Sequence, residues 1–292
     1  MKWRWLLPGR QAMARPGRPD GPPSYGGRPR GLVGSPSPRA PVPYRALLAG
    51  CRLVSRLIAA RLELEGAEHL PRTADGRPAG GWIGVGMPHR TWVDPFVLAL
   101  LLPLEPRLFF LGDGRTIYRS RLRRFVFSRI GGVVPIWPGS GPGGFAAQVG
   151  AVRQVIDAGG VFVIFPEVGP PVPVEQARPL AAGIGYFALR TGAPMVPLVL
   201  GGAHEIFRGR RIILRVLPPV TALRLAGPPA DAGAPEKAAA PEGASRTERE
   251  AAHRIAAELH ARCLHDVADA HRASEPPPGT RKHWVWLTGL FH

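Results

Sequence analysis

The 292-residue sequence predicts an α/β fold: a single domain with a mixed, mostly parallel sheet flanked by helices, an N-terminal amphipathic helix and a C-terminal helical appendage. Three apolar runs carry that expectation. Trp82–Met87, Gly160–Phe165 and Pro194–Gly202 are short and lack polar alternation, as strands buried on both faces of a parallel sheet do. Strand-like and helix-like stretches alternate from Gly81 to Val220, with proline and glycine marking the junctions.

Residues 1–43 are rich in proline, glycine and arginine and are expected to form a disordered tail. Its short apolar start, Trp3–Leu7, is too brief for a secretory core, and no export signal is read. Tyr44 to Leu64 reads as one amphipathic helix. Arg45, Arg52 and Arg56 fall on one side, while Leu53, Val54, Leu57, Ile58, Leu62 and Leu64 cover the other. Three arginines argue against a spanning helix, which needs about 20 mostly apolar residues. A helix lying at a lipid interface fits the pattern, and so does one packed on the domain's own core. Arg72–Gly81 is a polar, turn-rich loop leading into the first central strand.

Beyond Met87 the apolar run stops at Pro88-His89-Arg90-Thr91-Trp92-Val93, and Asp94-Pro95 opens an apolar helix through Leu102. On a continuous helix the step from His89 to Asp94 would turn through about 500°, about 140° net, so the two would point apart. Across a turn they can meet, with Asp94 as the helix cap and Pro95 at the first helical position. Asp94 would then accept a hydrogen bond from one ring nitrogen and leave the other as a base for a substrate hydroxyl. The conservative reading makes Asp94 a cap and His89 a turn residue. His89 lies at the carboxyl end of a strand, the edge where open α/β sheets bind ligands.

Arg107–Leu111 reads as a strand and 120–129 as a helix, in which Arg121, Arg123, Arg124 and Arg129 are interleaved with Leu122, Phe125, Val126 and Phe127. A solvated face and contact with lipid phosphate or an acyl donor both suit it. Gly139–Gly144 lacks the G-K-[ST] ending of a nucleotide loop and leads into a helix over 145–158. Glu167 closes the second apolar run, where its carboxylate can bond a substrate or brace the loop through backbone N–H groups. Arg178-Pro179-Leu180 opens a helix ending near Thr191-Gly192, and Ile212–Val216 is the last strand. A proline-alanine linker over 226–245 precedes a helix from Arg246 to His271, where His253, His260 and His265 lack metal-pair spacing. The tail carries Arg281, Lys282, Trp284, Trp286, Leu287, Leu290 and Phe291, suited to a membrane interface or to docking on the domain.

The formal charge of +17 comes almost entirely from arginine, the lysines being Lys2, Lys237 and Lys282. Such a surface favours anionic lipid headgroups, the phosphates of coenzyme A, or an acidic acyl carrier protein. Nucleic acid is not expected, because zinc spacing, aromatic RNA-binding blocks and a recognition helix are all missing. Cys51 and Cys263 are far apart and imply neither a disulfide framework nor a metal site.

In order and spacing these blocks resemble the glycerolipid acyltransferases that include the lysophosphatidate (1-acylglycerol-3-phosphate) acyltransferases. Their N-H-x-x-x-x-D block is matched by His89 and Asp94, with Pro88 in place of the asparagine. F-P-E-G-T-R is matched by Phe165, Pro166 and Glu167 and then departs at Val168, Gly169 and Pro170. Val196-Pro197-Leu198 is similar to the apolar-proline strand, and Gly131–Ile136 to the second block, followed by Trp137 and Pro138 where the family has an arginine. The likeness spans roughly residues 65–219.

The resemblance implies an acyltransferase domain over 65–225, and the residue patterns outside it give an amphipathic, membrane-associated helix over 44–64 and an appendage with a basic-aromatic tail over 246–292. It implies that His89 activates the acceptor hydroxyl and Asp94 supports it. Pro166 and Glu167 fall in the acceptor-binding block, and Arg178 is the nearest downstream cation to stand in for a missing arginine. Acyl-CoA or acyl carrier protein would be the co-substrate, with no cofactor and no metal, at the cytoplasmic face of a membrane in a peripheral or monotopic setting. The altered blocks leave open another acceptor, such as a different lysophospholipid, an amino-acid lipid or a glycolipid. They also leave open a non-catalytic, basic, membrane-surface binding protein with the same fold.

Overall fold

The computed structural model describes residues 35–114, 125, 130, 132–136, 141–169, 172–173, 175–226 and 244–285. Several expectations lie outside the described residues. They concern the tail through residue 34, most of the 120–129 helix, Trp137 and Pro138, Pro170, the linker over 227–243, and Trp286, Leu287, Leu290 and Phe291.

One sheet of seven strands organises the chain: β1 (Arg61–Glu65), β2 (Trp82–Met87), β3 (Leu108–Asp113), β4 (Val133–Ile136), β5 (Val161–Ile164), β6 (Met195–Gly201) and β7 (Arg211–Val216). Their spatial order is β1-β7-β6-β2-β5-β3-β4, and every neighbouring pair is parallel except β6 with β7. The described helices are α1 (Val42–Leu57), α2 (Asp94–Leu101), α3 (Gly141–Asp157), α4 (Gly183–Thr191), α5 (Ala222–Ala226) and α6 (Arg246–Ser274). The expected mixed, mostly parallel α/β sheet is therefore the observed one.

β2 is central and wholly buried, which explains its unbroken apolar run. Ile83, Val85 and Met87 join a core with Val152 and Val155 of α3, Ile184 and Phe187 of α4, and Ile255 and Leu259 of α6. The opposite face packs beneath Tyr44 and Leu48 of α1 and Val97 and Leu98 of α2. Gly84 and Gly86 yield room on β2: an added Cβ would come within 2.9 Å of the Leu198 side chain and 2.4 Å of the Phe165 ring. The sheet can thus carry a large aromatic over its central strand near the carboxyl edge.

The single helix expected over 44–64 is in fact a helix and a strand. α1 ends at Leu57, Ala59 takes a left-handed turn with φ of 50°, and β1 begins at Arg61. Period-two alternation in Arg61-Leu62-Glu63-Leu64-Glu65 is what the helical reading overlooked. Pairing with β7 rewards it, because Arg211 reaches Glu63 at 2.7 Å and Arg215 reaches Glu65 at 2.8 Å. α1 also buries a different stripe from the one expected. Tyr44 and Leu48 face the core, whereas Leu53, Val54 and Leu57 are 58%, 53% and 66% exposed.

A second difference concerns Arg178. It does not open a helix, since α4 begins at Gly183. Residues 178–181 instead run back along the end of β5, with Leu180 bridging Glu167 and the Val168 N–H donating to the Pro179 carbonyl at 2.9 Å. The Leu-Pro content of that stretch suits extended backbone better than a first helical turn.

The C-terminal helix is built into the domain rather than standing off from it. α6 starts from Ser245, whose hydroxyl accepts the Glu248 N–H, and it packs on α4 and β6. Gly185 and Gly201 permit that approach, because a Cβ at either would lie 2.3 Å from a backbone oxygen of α6, on Ala252 or Ala270 respectively. Arg215 fastens the same helix to the sheet through Asp266 at 3.2 Å and Asp269 at 2.9 Å. Gly201→Ala should therefore lower stability by about 1–3 kcal/mol through forced displacement of α6. Urea unfolding would register this as a lower midpoint with an unchanged slope; an unaltered midpoint would mean that α6 is not seated as described.

Candidate active site

Because β2, β5 and β6 are parallel neighbours, their carboxyl ends share one edge, and the segments that follow them meet there. His89 comes two residues after β2, Phe165–Glu167 directly follow β5, and Ala203 follows β6 by two residues. The five-residue separation of His89 and Asp94 is spent on a turn, closed by the Asp94 N–H donating to the Thr91 carbonyl at 3.3 Å.

That turn brings the pair together. His89 Nδ1 lies 2.8 Å from Asp94 Oδ2, with the histidine side chain 40% exposed and the aspartate 1% exposed. Asp94 is the first helical residue of α2 rather than its cap, and its carboxylate reaches back into the turn. Oδ2 also accepts the N–H groups of Arg90 at 2.8 Å and Thr91 at 2.9 Å, and Oδ1 lies 3.0 Å from the Thr91 hydroxyl. This many donors fix the carboxylate's rotamer. With the carboxylate as acceptor, Nδ1 is the donating ring nitrogen and Nε2 is left to face outward with its lone pair.

The ring is also held from its face. Phe165 stacks on His89 with centroids 4.4 Å apart and planes 24° from parallel, a position that the absent side chain of Gly86 makes available. Glu167, whose side chain is fully buried, accepts the His89 N–H at 3.1 Å and the Arg178 N–H at 3.1 Å. Arg178 pairs with Glu167 at 3.2 Å and donates to the His89 carbonyl at 3.0 Å. Pro166 is buried, and its carbonyl accepts the Ala181 N–H at 2.7 Å. Of the residues placed at this site from sequence, all five are therefore gathered around one turn. Glu167 adopts the bracing arrangement.

Arg90 and Thr91 also border the His89–Asp94 pair, beyond the residues expected from sequence. The Arg90 guanidinium ties the turn to the loop after Glu167, donating to the carbonyls of Val172, Pro173 and Gln176. Only its position beside His89 could have signalled this. Thr91 stands between two elements, with its hydroxyl 3.3 Å from the Ala203 carbonyl as well as near Asp94.

Behind Asp94 a small crevice is lined by Pro88, Arg90, Gly202, Ala203, His204 and His271 among others. Burial, with the Arg210 charge adding to it, pushes the His204 pKa down to about 4, so that ring stays neutral near pH 7. Burial pushes the Cys263 thiol up to about 12, leaving it protonated and unsuited to act as a nucleophile. Among the described residues no group of three His, Cys, Asp or Glu side chains is arranged to hold a metal ion. The chemistry this arrangement can perform is removal of a proton from a bound hydroxyl by an oriented imidazole.

A structure of limited similarity is the crystal structure of the 1-acyl-sn-glycerophosphate (LPA) acyltransferase PlsC from Thermotoga maritima, at 15% identity and a TM-score of 0.49, covering 77% of this chain and 79% of that one. A search of curated proteins found no match. The family described as Acyltransferase matches residues 61–201, a span that contains β1 to β6, the His89 turn and Phe165–Glu167. Residues 61–201, just under half of the chain, therefore match the acyltransferase family.

Proposed function

We propose that this protein transfers a fatty acyl group from acyl-CoA or acyl carrier protein to a hydroxyl of a glycerolipid acceptor such as 1-acylglycerol-3-phosphate. The observation that carries the reading is the 2.8 Å contact between His89 Nδ1 and the buried Asp94 carboxylate, with the ring partly exposed. His89 Nε2 takes the acceptor's hydroxyl proton as the oxygen attacks the thioester carbonyl carbon. The C–O bond forms and the C–S bond breaks. The proton then passes from the imidazolium to the departing thiolate, so the histidine ends as it began. Asp94 keeps the ring in the required tautomer and stabilises its transient positive charge.

A second reading of the acceptor is favoured by the two described arginines beside His89. Arg90 and Arg178 both donate to protein oxygens, and Val168-Gly169 stands where the related motif continues with glycine and threonine. That reading substitutes another lysophospholipid, an amino-acid lipid or a glycolipid as acceptor and leaves the chemistry unchanged. Profiling acceptors with a radiolabelled acyl donor separates the two.

We also propose that the protein works at the cytoplasmic face of a membrane, peripherally or as a monotopic protein. Support comes from α1, where exposed Leu53, Val54 and Leu57 accompany exposed Arg52 and Arg56. No helix among the described residues is long and apolar enough to cross a membrane.

Two outcomes test these statements. His89→Ala should lower acyl transfer by about 10²–10⁴-fold in a thiol-release assay. A wild-type rate for His89→Ala with every acceptor would rule the mechanism out. Replacing Leu53, Val54 and Leu57 together by serine should abolish co-sedimentation with vesicles containing anionic phospholipid while circular dichroism stays native. Undiminished sedimentation would remove α1 from the membrane contact.

A further inference from the structure

The base lies beyond the reach of the sheet that should hold it. β2 pairs with β5 through Val85 and with β6 through Met87, so the ladder has ended before His89, whose main-chain N–H and C=O need other partners. Both are met by one ion pair. Glu167 Oε2 accepts the His89 N–H at 3.1 Å, and Arg178 Nη2 donates to the His89 carbonyl at 3.0 Å. The pair is closed on itself by Arg178 Nε to Glu167 Oε2 at 3.2 Å and by the Arg178 N–H to Glu167 Oε1 at 3.1 Å. The loop between the two residues returns as an antiparallel bridge, Glu167 to Leu180, and thereby sets Arg178 alongside Glu167.

We infer that Arg178, acting with Glu167, is a positioning residue that clamps the peptide of His89, rather than a ligand for the acceptor's phosphate. The inference rests on His89 being the base, as proposed above. Three features argue for the clamp. The Glu167 side chain has no exposed surface and Arg178 is 20% exposed, so the pair is directed inward. Two separate guanidinium nitrogens are in use, one on a carboxylate and one on a carbonyl, a fork that lysine's single nitrogen cannot reproduce. Finally, a buried carboxylate depends on its partner: removing Arg178 strips charge compensation from Glu167 and a donor from His89 in one step.

The clamp also explains how a chain that departs from the related motif after Glu167 keeps the base in register. Val168 and Gly169 supply no side chain able to bridge Glu167 and His89, and Arg178 arrives from eleven residues downstream to do so. Arg90 laces the same loop from the other side through the carbonyls of Val172, Pro173 and Gln176. The His89 turn and the loop after β5 therefore hold each other.

The test is steady-state kinetics of Arg178→Gln, Arg178→Lys and Glu167→Gln beside His89→Ala, with circular dichroism establishing that each is folded. Each acceptor is assayed in two forms, one bearing a phosphate monoester and one zwitterionic. A positioning role predicts that Arg178→Gln lowers kcat on the order of 10²-fold, the effect of a small misplacement of a catalytic group, with acceptor KM changed less than about threefold for both acceptors. Arg178→Lys should fail to restore kcat. The double variant Arg178→Gln/Glu167→Gln should lose no more than the worse single variant, because the two act as a unit. A rise in KM confined to the phosphate-bearing acceptor with kcat retained would overturn the clamp and make Arg178 a ligand, and so would full rescue by lysine. If His89→Ala itself keeps its rate, it is the proposed mechanism that has failed. Should a variant be too unstable for kinetics, the ring carbon-proton NMR signals of His89 in Arg178→Lys decide. Displaced signals support the clamp, and wild-type signals overturn it.

Discussion

Burying an ionised carboxylate costs several kcal/mol unless hydrogen bonds surround it. Asp94 meets that condition with two backbone N–H groups, the Thr91 hydroxyl and the His89 ring, all supplied by the turn it closes. The same contacts that make Asp94 tolerable inside the fold make the His89 ring directional. Its Nδ1 is engaged by the carboxylate, its face by Phe165, and its peptide by Glu167 and Arg178. Rigidity of this kind suits the proposed role, in which the partly exposed imidazole would act as a base without reorganising when substrate arrives.

The sheet supplies the frame for that turn. Central β2 lies between β5 and β6, so the three segments that build the site leave the same edge. Glycines on β2 open the space into which Phe165 leans, and glycines on α4 and β6 let α6 cover the opposite layer. Arg211 and Arg215, paired with Glu63 and Glu65, bring the edge strand β1 onto β7 and connect it to α6. The one antiparallel pairing, β6 with β7, sends the chain back across the sheet after the site has been completed.

Much of this was legible in the sequence, and the reason is burial. Trp82–Met87, the run ending at Phe165, and the run through Leu200 are strands buried throughout or nearly so, so their composition alone declares them. The His89–Asp94 pairing was legible because a five-residue separation forbids contact on a helix and Pro95 marks where the helix starts. What was hidden depended on tertiary contact. β1 is a short edge strand whose five-residue alternation outweighs the helical pattern only once Glu63 and Glu65 have arginines to meet. The α1 stripe reads as one apolar side, yet the fold claims Tyr44 and Leu48 and leaves Leu53, Val54 and Leu57 outside. Arg90, Thr91 and Arg178 also meet main-chain oxygens, of Val172, Pro173, Gln176, Ala203 and His89, which no residue-type pattern encodes.

The proposed acyl transfer depends on which ring nitrogen of His89 carries the proton when the ring is neutral. Nitrogen-15 chemical shifts of the His89 ring, recorded on histidine-labelled protein with His89→Gln used for assignment, report this directly. The structure predicts a protonated Nδ1 and a bare Nε2, with that preference weakened in Asp94→Asn. A neutral ring protonated at Nε2 in the wild-type protein would leave no lone pair where the acceptor hydroxyl must be met, and would contradict the assignment of His89 as the base.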